Sequence, residues 1–336
     1  MRIPGITFLL ALLISAGLSL PGKAGGPSPS GPGPAWASLT PVPSLGGPPF
    51  GGVEGLSVAS VGNEIVAALG FDNFTGDTLT TRIYDIASDT WFFGANAPGA
   101  SSEGAGVAHG GLFYNIGGRG AGFNANWSYD PASDVWNAGL APLPTGRNAL
   151  GAAVVGNAIY AVGGRTAGGG PCSGFGAGVL ATVERYDIAS DSWTTVASLP
   201  SPRQDLAAAA VGGKIYVFGG CDASGSIVGD VDVYNPTSDT WSTAPTDMPN
   251  PRASMYPVAM KGGTVYVIGG WDGFSPGLST NDSYKVSTDS WTVGLLPMPT
   301  PRAEVGAAGH GGRIYIIGGG QPGFGASVDA NEVFKP

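Results

Sequence analysis

Histidine and cysteine are almost absent from this chain, with two of each in 336 residues. Charge is scarce as well: only 12% of residues are Asp, Glu, Lys or Arg, and acids outnumber bases 24 to 15. Nucleic acid and anionic membrane both select clustered Lys and Arg, so this balance disfavours them as partners. Long apolar runs are missing beyond residue 20, so no later segment reads as a membrane span. Glycine, by contrast, is abundant at 59 residues, with 28 prolines. Low charge with much Gly and Pro often means disorder, but regularly spaced aromatics and alternating strands argue for a packed core.

The N-terminus, MRIPGITFLLALLISAGLSLPGKAGG, has one basic residue at its start, an apolar stretch from Ile6 to Leu20 and Ala24 as a cleavage position. It reads as a secretory signal peptide over residues 1–24. The apolar run is short for an uncleaved anchor, and no Cys stands beside it to carry a lipid. Residues 25–34, GGPSPSGPGP, read as a flexible tether. The signal region holds two bases and no acid, leaving 13 bases against 24 acids after it. The expected destination is the extracellular space or periplasm, with no membrane insertion once the signal is cleaved.

The rest, residues 35–336, repeats. Gly pairs stand at 117–118, 163–164, 219–220, 269–270 and 318–319, preceded by a degenerate Leu69-Gly70. Third-strand aromatics follow at Tyr84, Tyr129, Tyr186, Tyr234, Tyr284 and Phe334, and fourth-strand tryptophans at Trp91, Trp136, Trp193, Trp241 and Trp291. Three independent markers share a period near fifty, the signature of a repeat architecture. Ala207–Trp241 shows one unit whole: a small-residue strand, a Gly-Gly turn, an alternating strand ending in the Gly pair, a polar loop, a third strand ending Tyr234-Asn235, and a turn into Trp241.

Gly-Gly, then Tyr-Asp or Tyr-Asn, then Trp resembles the kelch repeat, six times over residues 35 to 336. The resemblance implies an all-β, six-bladed β-propeller of four-stranded antiparallel blades, strands a to d from the centre outward. The last repeat stops at Phe334-Lys335-Pro336 without its Trp, and Trp36 in AWASLT supplies it. The N-terminal strand is therefore expected as strand d of blade 6, closing the ring. Small a strands (GAAVV, AAAAV, GAAGH) suit a narrow channel. Pro257 in the blade 5 a strand is tolerable on an edge. The tryptophans and tyrosines are expected to pack between blades.

In a propeller the d–a and b–c loops share one face. Arg147, Arg203, Arg252 and Arg302 fall in d–a loops, and Arg119 and Arg165 follow Gly pairs in b–c loops, so six of ten arginines map there. Guanidinium groups at that density suit carboxylate, sulfate or sugar recognition. The competing reading is loop bracing. Glu103, Asp205 and Glu304 stand two residues after the Arg position, and Arg203 with Asp205 and Arg302 with Glu304 are expected to neutralise each other as i,i+2 pairs. Asp72, Asp222 and Asp272 read as turn caps, with calcium as the minor alternative. Trp271 and Phe71 are stacking platforms or loop anchors. Cys172 and Cys221 fall in adjacent loops and are expected to form a disulfide. His109 and His310 lie in a–b turns of non-adjacent blades on the opposite face. Asn73, Asn126 and Asn281 begin glycosylation sequons.

Kelch propellers resembling this one commonly serve as interaction platforms. The expected function is thus a secreted, monomeric binding module for a glycan, an acidic ligand or a protein, with candidate residues Arg119, Arg147, Arg165, Arg203, Arg252, Arg302, Trp271 and Asp272. No catalytic set, cofactor or metal is assigned. Some similar propellers are copper oxidases, which need paired His ligands. Others are sugar mutarotases, for which Glu304 or Asp205 with Arg203 or Arg302 would serve as acid–base machinery. A structural surface protein is the third reading.

Overall fold

The structure, a computed structural model, describes residue 29 and residues 33–43, 52–166, 171–173, 176–260, 262–321 and 326–336. The expected signal peptide, most of the tether and part of the loop between Arg165 and Leu180 lie outside the described residues.

Six four-stranded antiparallel sheets form six blades, each ordered a-b-c-d. Blade 4 is typical: a Ala207–Val211, b Lys214–Phe218, c Val231–Asn235, d Thr240–Thr243. The a strands of neighbouring blades lie side by side, and that of blade 6 (Gly306–His310) lies beside that of blade 1 (Ser57–Val61). The ring is therefore closed. Small residues are required there: a Cβ on Gly106 would stand 2.4 Å from the Val58 backbone nitrogen. Blade 6 takes its d strand from the N-terminus, with Trp36 registered on Phe334 across Ala35–Ser38 and Asn331–Lys335.

Each third-strand Tyr is buried and registered on the Trp of its own blade, with ring centroids 5.0–5.2 Å apart in five blades. The Trp then reaches the neighbouring blade: the indole N–H of Trp136, Trp193 and Trp241 donates to the carbonyls of Ala95, Ala141 and Ala197. An aspartate in the c–d turn works the same seam. Asp239 accepts both the Tyr234 hydroxyl at 2.7 Å and the Ala197 N–H at 2.8 Å, and Asp134 and Asp191 repeat the arrangement. One carboxylate thereby ties two blades. Burial and the aspartate acceptor push these tyrosine hydroxyls upward, while the accepted hydrogen bonds hold Asp134 and Asp239 low.

The Gly pairs explain themselves at the next seam. The N–H of Gly220 donates to the carbonyl of Arg252 at 3.1 Å, and a Cβ on Gly219 would meet that same oxygen at 2.5 Å. Both glycines have positive φ. The pair lets one blade's b strand end directly against the next blade's loop backbone.

Candidate functional site

The d–a and b–c loops form one face, and at its centre six equivalent residues meet: Gly55, Glu103, Ala149, Asp205, Ser254 and Glu304. All are left-handed, with φ between 51° and 60°. Each N–H donates to the carbonyl of its counterpart in the preceding blade, at 2.9–3.1 Å, and Gly55 donates to Glu304. The six bonds close a circle around the channel mouth. The backbone strain of five non-glycine residues in this region is held by the closed ring. The cavity it encloses, about 20 Å³, admits one water and no organic ligand.

Around this ring the arginines are struts. Arg147, Arg165, Arg203, Arg252 and Arg302 have no exposed area. In blades 3 to 6 the d–a loop Arg crosses strand b and pairs with a buried acid of strand c: Arg147 with Glu184, Arg203 with Asp232, Arg252 with Asp282, Arg302 with Glu332. The remaining donors go to main chain. Arg302 alone bonds the carbonyls of Gly318, Thr300 and Ile316 at 2.7–3.2 Å. Burial pulls the Arg252 and Arg302 guanidinium values down, and the partner carboxylates oppose it. Five of the six candidate arginines are therefore inaccessible to a ligand. The expected i,i+2 pairs of Arg203 with Asp205 and Arg302 with Glu304 are not formed, because the Arg turns into its own blade. A mutarotase pairing of those residues falls with them.

Sequence reading missed these partners, although the repeat register carries the signal. An acid stands two residues before the c-strand aromatic only in the four blades with a d–a loop Arg. Blades 1 and 2 have Arg82 and Trp127 there instead, with Val53 and Ser101 at the Arg position.

Arg165 lies across the inner ring. It pairs with Glu103 at 2.6 Å and Asp205 at 2.8 Å and bonds Gln204. Burial pushes the Asp205 and Glu103 carboxyls up, and Arg165 counters it. Arg119 alone among the six keeps exposed side chain, 27%, but is held by Asp77 and Glu103 and lies 5.0 Å over the Phe71 ring.

The aspartates after the glycines cap their turns. Asp72 accepts the Phe74 N–H, Asp222 those of Ser224 and Ser226, and Asp272 those of Phe274 and Ser275. Cys172 and Cys221 form a disulfide, with Cα atoms 5.5 Å apart. The disulfide, Ala253 and Ile227 back one side of Trp271. Trp271 also lines a groove of about 540 Å³ whose walls include Pro171, Ser226, Ile227, Pro251, Asp272 and Phe274. Phe274, at the tip of its capped turn, is 94% exposed, and Phe74, at the equivalent tip in blade 1, is 61% exposed. Neither phenylalanine was singled out from sequence. The cue was the shared pattern Phe71-Asp-Asn-Phe74 and Trp271-Asp-Gly-Phe274.

His109 and His310 end a strands on the opposite face, where His109 bonds Asn157 and His310 bonds Ser60. Of the three sequons, Asn126 and Asn281 are buried and bond main-chain carbonyls, while Asn73 is exposed.

Comparison with known proteins places this architecture. The profile of the KLHDC2/KLHL20/DRC7 Kelch-repeats domain matches residues 141–320. Kelch-like protein 35 of Mus musculus is 31% identical over 52% of this chain and 28% of its own length. Kelch-like protein terF of Aspergillus terreus is 30% identical over 59% and 46%, and the F-box/kelch-repeat protein At1g16250 of Arabidopsis thaliana 32% identical over 37% and 34%. The matched region spans less than half the length of each of these relatives. With six blades of this pattern and a family profile covering more than half of its residues, the chain belongs to the kelch-repeat family.

Proposed function

We propose that the chain is a binding module that docks a protein partner on the loop face, at the groove between Trp271 and Phe274. The observation that carries this is an exposed aromatic, on a turn fixed by hydrogen bonds, beside a groove of mixed apolar and polar lining. Water-facing Phe274 contributes nothing to the core, and its turn is fixed by Asp272. Such pre-ordered aromatics are the residues that dominate interface energies. Trp271→Ala with Phe274→Ala is expected to weaken partner binding by about 30-fold or more, at roughly 2 kcal/mol for a central aromatic. Phe274→Ala alone is expected to leave the unfolding midpoint unchanged. Binding by titration calorimetry and melting by calorimetry check the two halves. Undiminished binding by the double variant contradicts the reading.

Trp271 favours a glycan as the second reading, since a flat half-buried ring suits a sugar face. It is less well supported, because the Asp272 oxygens already accept from their own loop. We further propose that residues 1–24 act as an export signal, and the mature chain is expected to begin near residue 25. Amino-terminal sequencing of protein recovered outside the cytoplasm checks it; recovery with residues 1–24 intact contradicts it.

A further inference from the structure

The six arginines made the loop face look cationic in sequence, but the folded face has the opposite sign. Five of them are fully buried, and the sixth is held between two carboxylates. Apart from the paired Arg119, the ionisable groups that reach solvent on this face among the described residues are acids, including Asp77, Asp222, Asp230, Asp247, Asp272 and Asp329. The b–c loop segments outside the described residues, 167–170, 174–175 and 322–325, contain no charged residue, so they do not change this balance. Exposed Lys214 and half-buried Lys285, Arg313 and Lys335 sit at the other ends of the strands.

Around the groove the same two chemistries meet. Trp271 and Phe274 offer ring faces, and Asp222, Asp230, Asp247 and Asp272 lie on the loops of the same two blades. Aromatic faces attract guanidinium groups, and the carboxylates add a field of matching sign. From this complementarity we infer that the occupant of the groove is a cationic, Arg-containing segment of a partner protein. The inference rests on the docking site proposed above and adds the charge of what docks there. It reverses the acidic ligand expected from sequence.

The test uses the chain from residue 25 and three fluorescein-labelled nonapeptides of identical aromatic content, carrying four Arg, four Ser or four Glu at the same positions. Anisotropy is read at about 50 and 200 mM salt, where screening of exposed charges differs. The Arg peptide is expected to bind, at least about tenfold more tightly than the other two, and to weaken with salt. Asp230→Asn with Asp247→Asn should weaken it several-fold, and Glu64→Gln with Asp130→Asn on the opposite face less than about twofold. Equal or tighter binding of the Glu or Ser peptide, equal effects of the two acid pairs, or no binding of any peptide overturns the inference. If the parent binds all three peptides alike and Trp271→Ala with Phe274→Ala abolishes that binding, the docking site stands and only its charge preference falls. If the Arg peptide binds that aromatic double variant undiminished, the docking site itself falls.

Discussion

Replacing Arg302 by methionine is expected to cost about 3–5 kcal/mol of stability, the range for stranding one member of a buried ion pair. The cost has two sources. Glu332, 3% exposed, would keep a charge with no cation beside it. The carbonyls of Gly318, Thr300 and Ile316 would each lose a donor. In a domain of this size the midpoint should fall by roughly 6–20 °C, at about 2–4 °C per kcal/mol. Arg302→Lys should recover only part of this loss, because one ammonium cannot reach the carboxylate and three carbonyls together. Arg302→Met with Glu332→Leu should also recover part, since no charge is left buried. Thermal unfolding of the four proteins decides it. A methionine variant as stable as the parent would mean that the strut carries no load in the fold.

Stability is expected to fall as pH rises from about 5 to 8, and the cause lies at the seam between blades 6 and 1. Burial and then the charge of Glu103 push the Glu54 carboxyl from its ordinary 4.5 up to about 7, against the Ser327 hydrogen bond and Arg119. Glu304 is pushed well up by burial and by Glu54, Glu103 and Asp205, with Arg165 opposing. A carboxyl raised on folding holds its proton more tightly in the folded chain than in the unfolded one. Its contribution is whole below about 4.5 and is lost as pH climbs through about 7. At 1.36 kcal/mol per pH unit, Glu54 alone contributes at most about 3 kcal/mol. Glu54→Gln should flatten the profile over this window, because the amide stays neutral throughout. Denaturant unfolding at pH 5, 6, 7 and 8 reads the slope. A parent profile that is flat or rises toward pH 8, or an unchanged slope in the glutamine variant, contradicts this account of the seam.

Much of the fold was legible in the chain, because the markers that build it are local. The Gly pair, the Tyr and the Trp of one blade fall within about thirty residues, and their recurrence shows that they serve one architectural role. Trp36 could be placed on blade 6 because the last repeat lacked its own Trp. The disulfide and the aspartate caps followed from loop adjacency and turn chemistry. The arginines were misleading for a physical reason. Loop position says which face a backbone segment occupies, not where a long side chain goes. Arg302 leaves the loop and runs into its own blade to reach Glu332, thirty positions later. The inner ring was invisible for another reason: it is built from main-chain groups, which Gly55, Ala149 and Ser254 supply as well as Glu103 does.

The loop face is aromatic and acidic only if the arginines are struts. Phenylglyoxal labelling of the folded protein, read residue by residue by mass spectrometry, tests this without any ligand. Labelling is predicted at Arg185 and Arg313, slow labelling at Arg119, and none at Arg147, Arg165, Arg203, Arg252 or Arg302 until the chain is unfolded in denaturant. Ready labelling of Arg203, Arg252 or Arg302 in the native protein would contradict it and return the face to an anion-binding role.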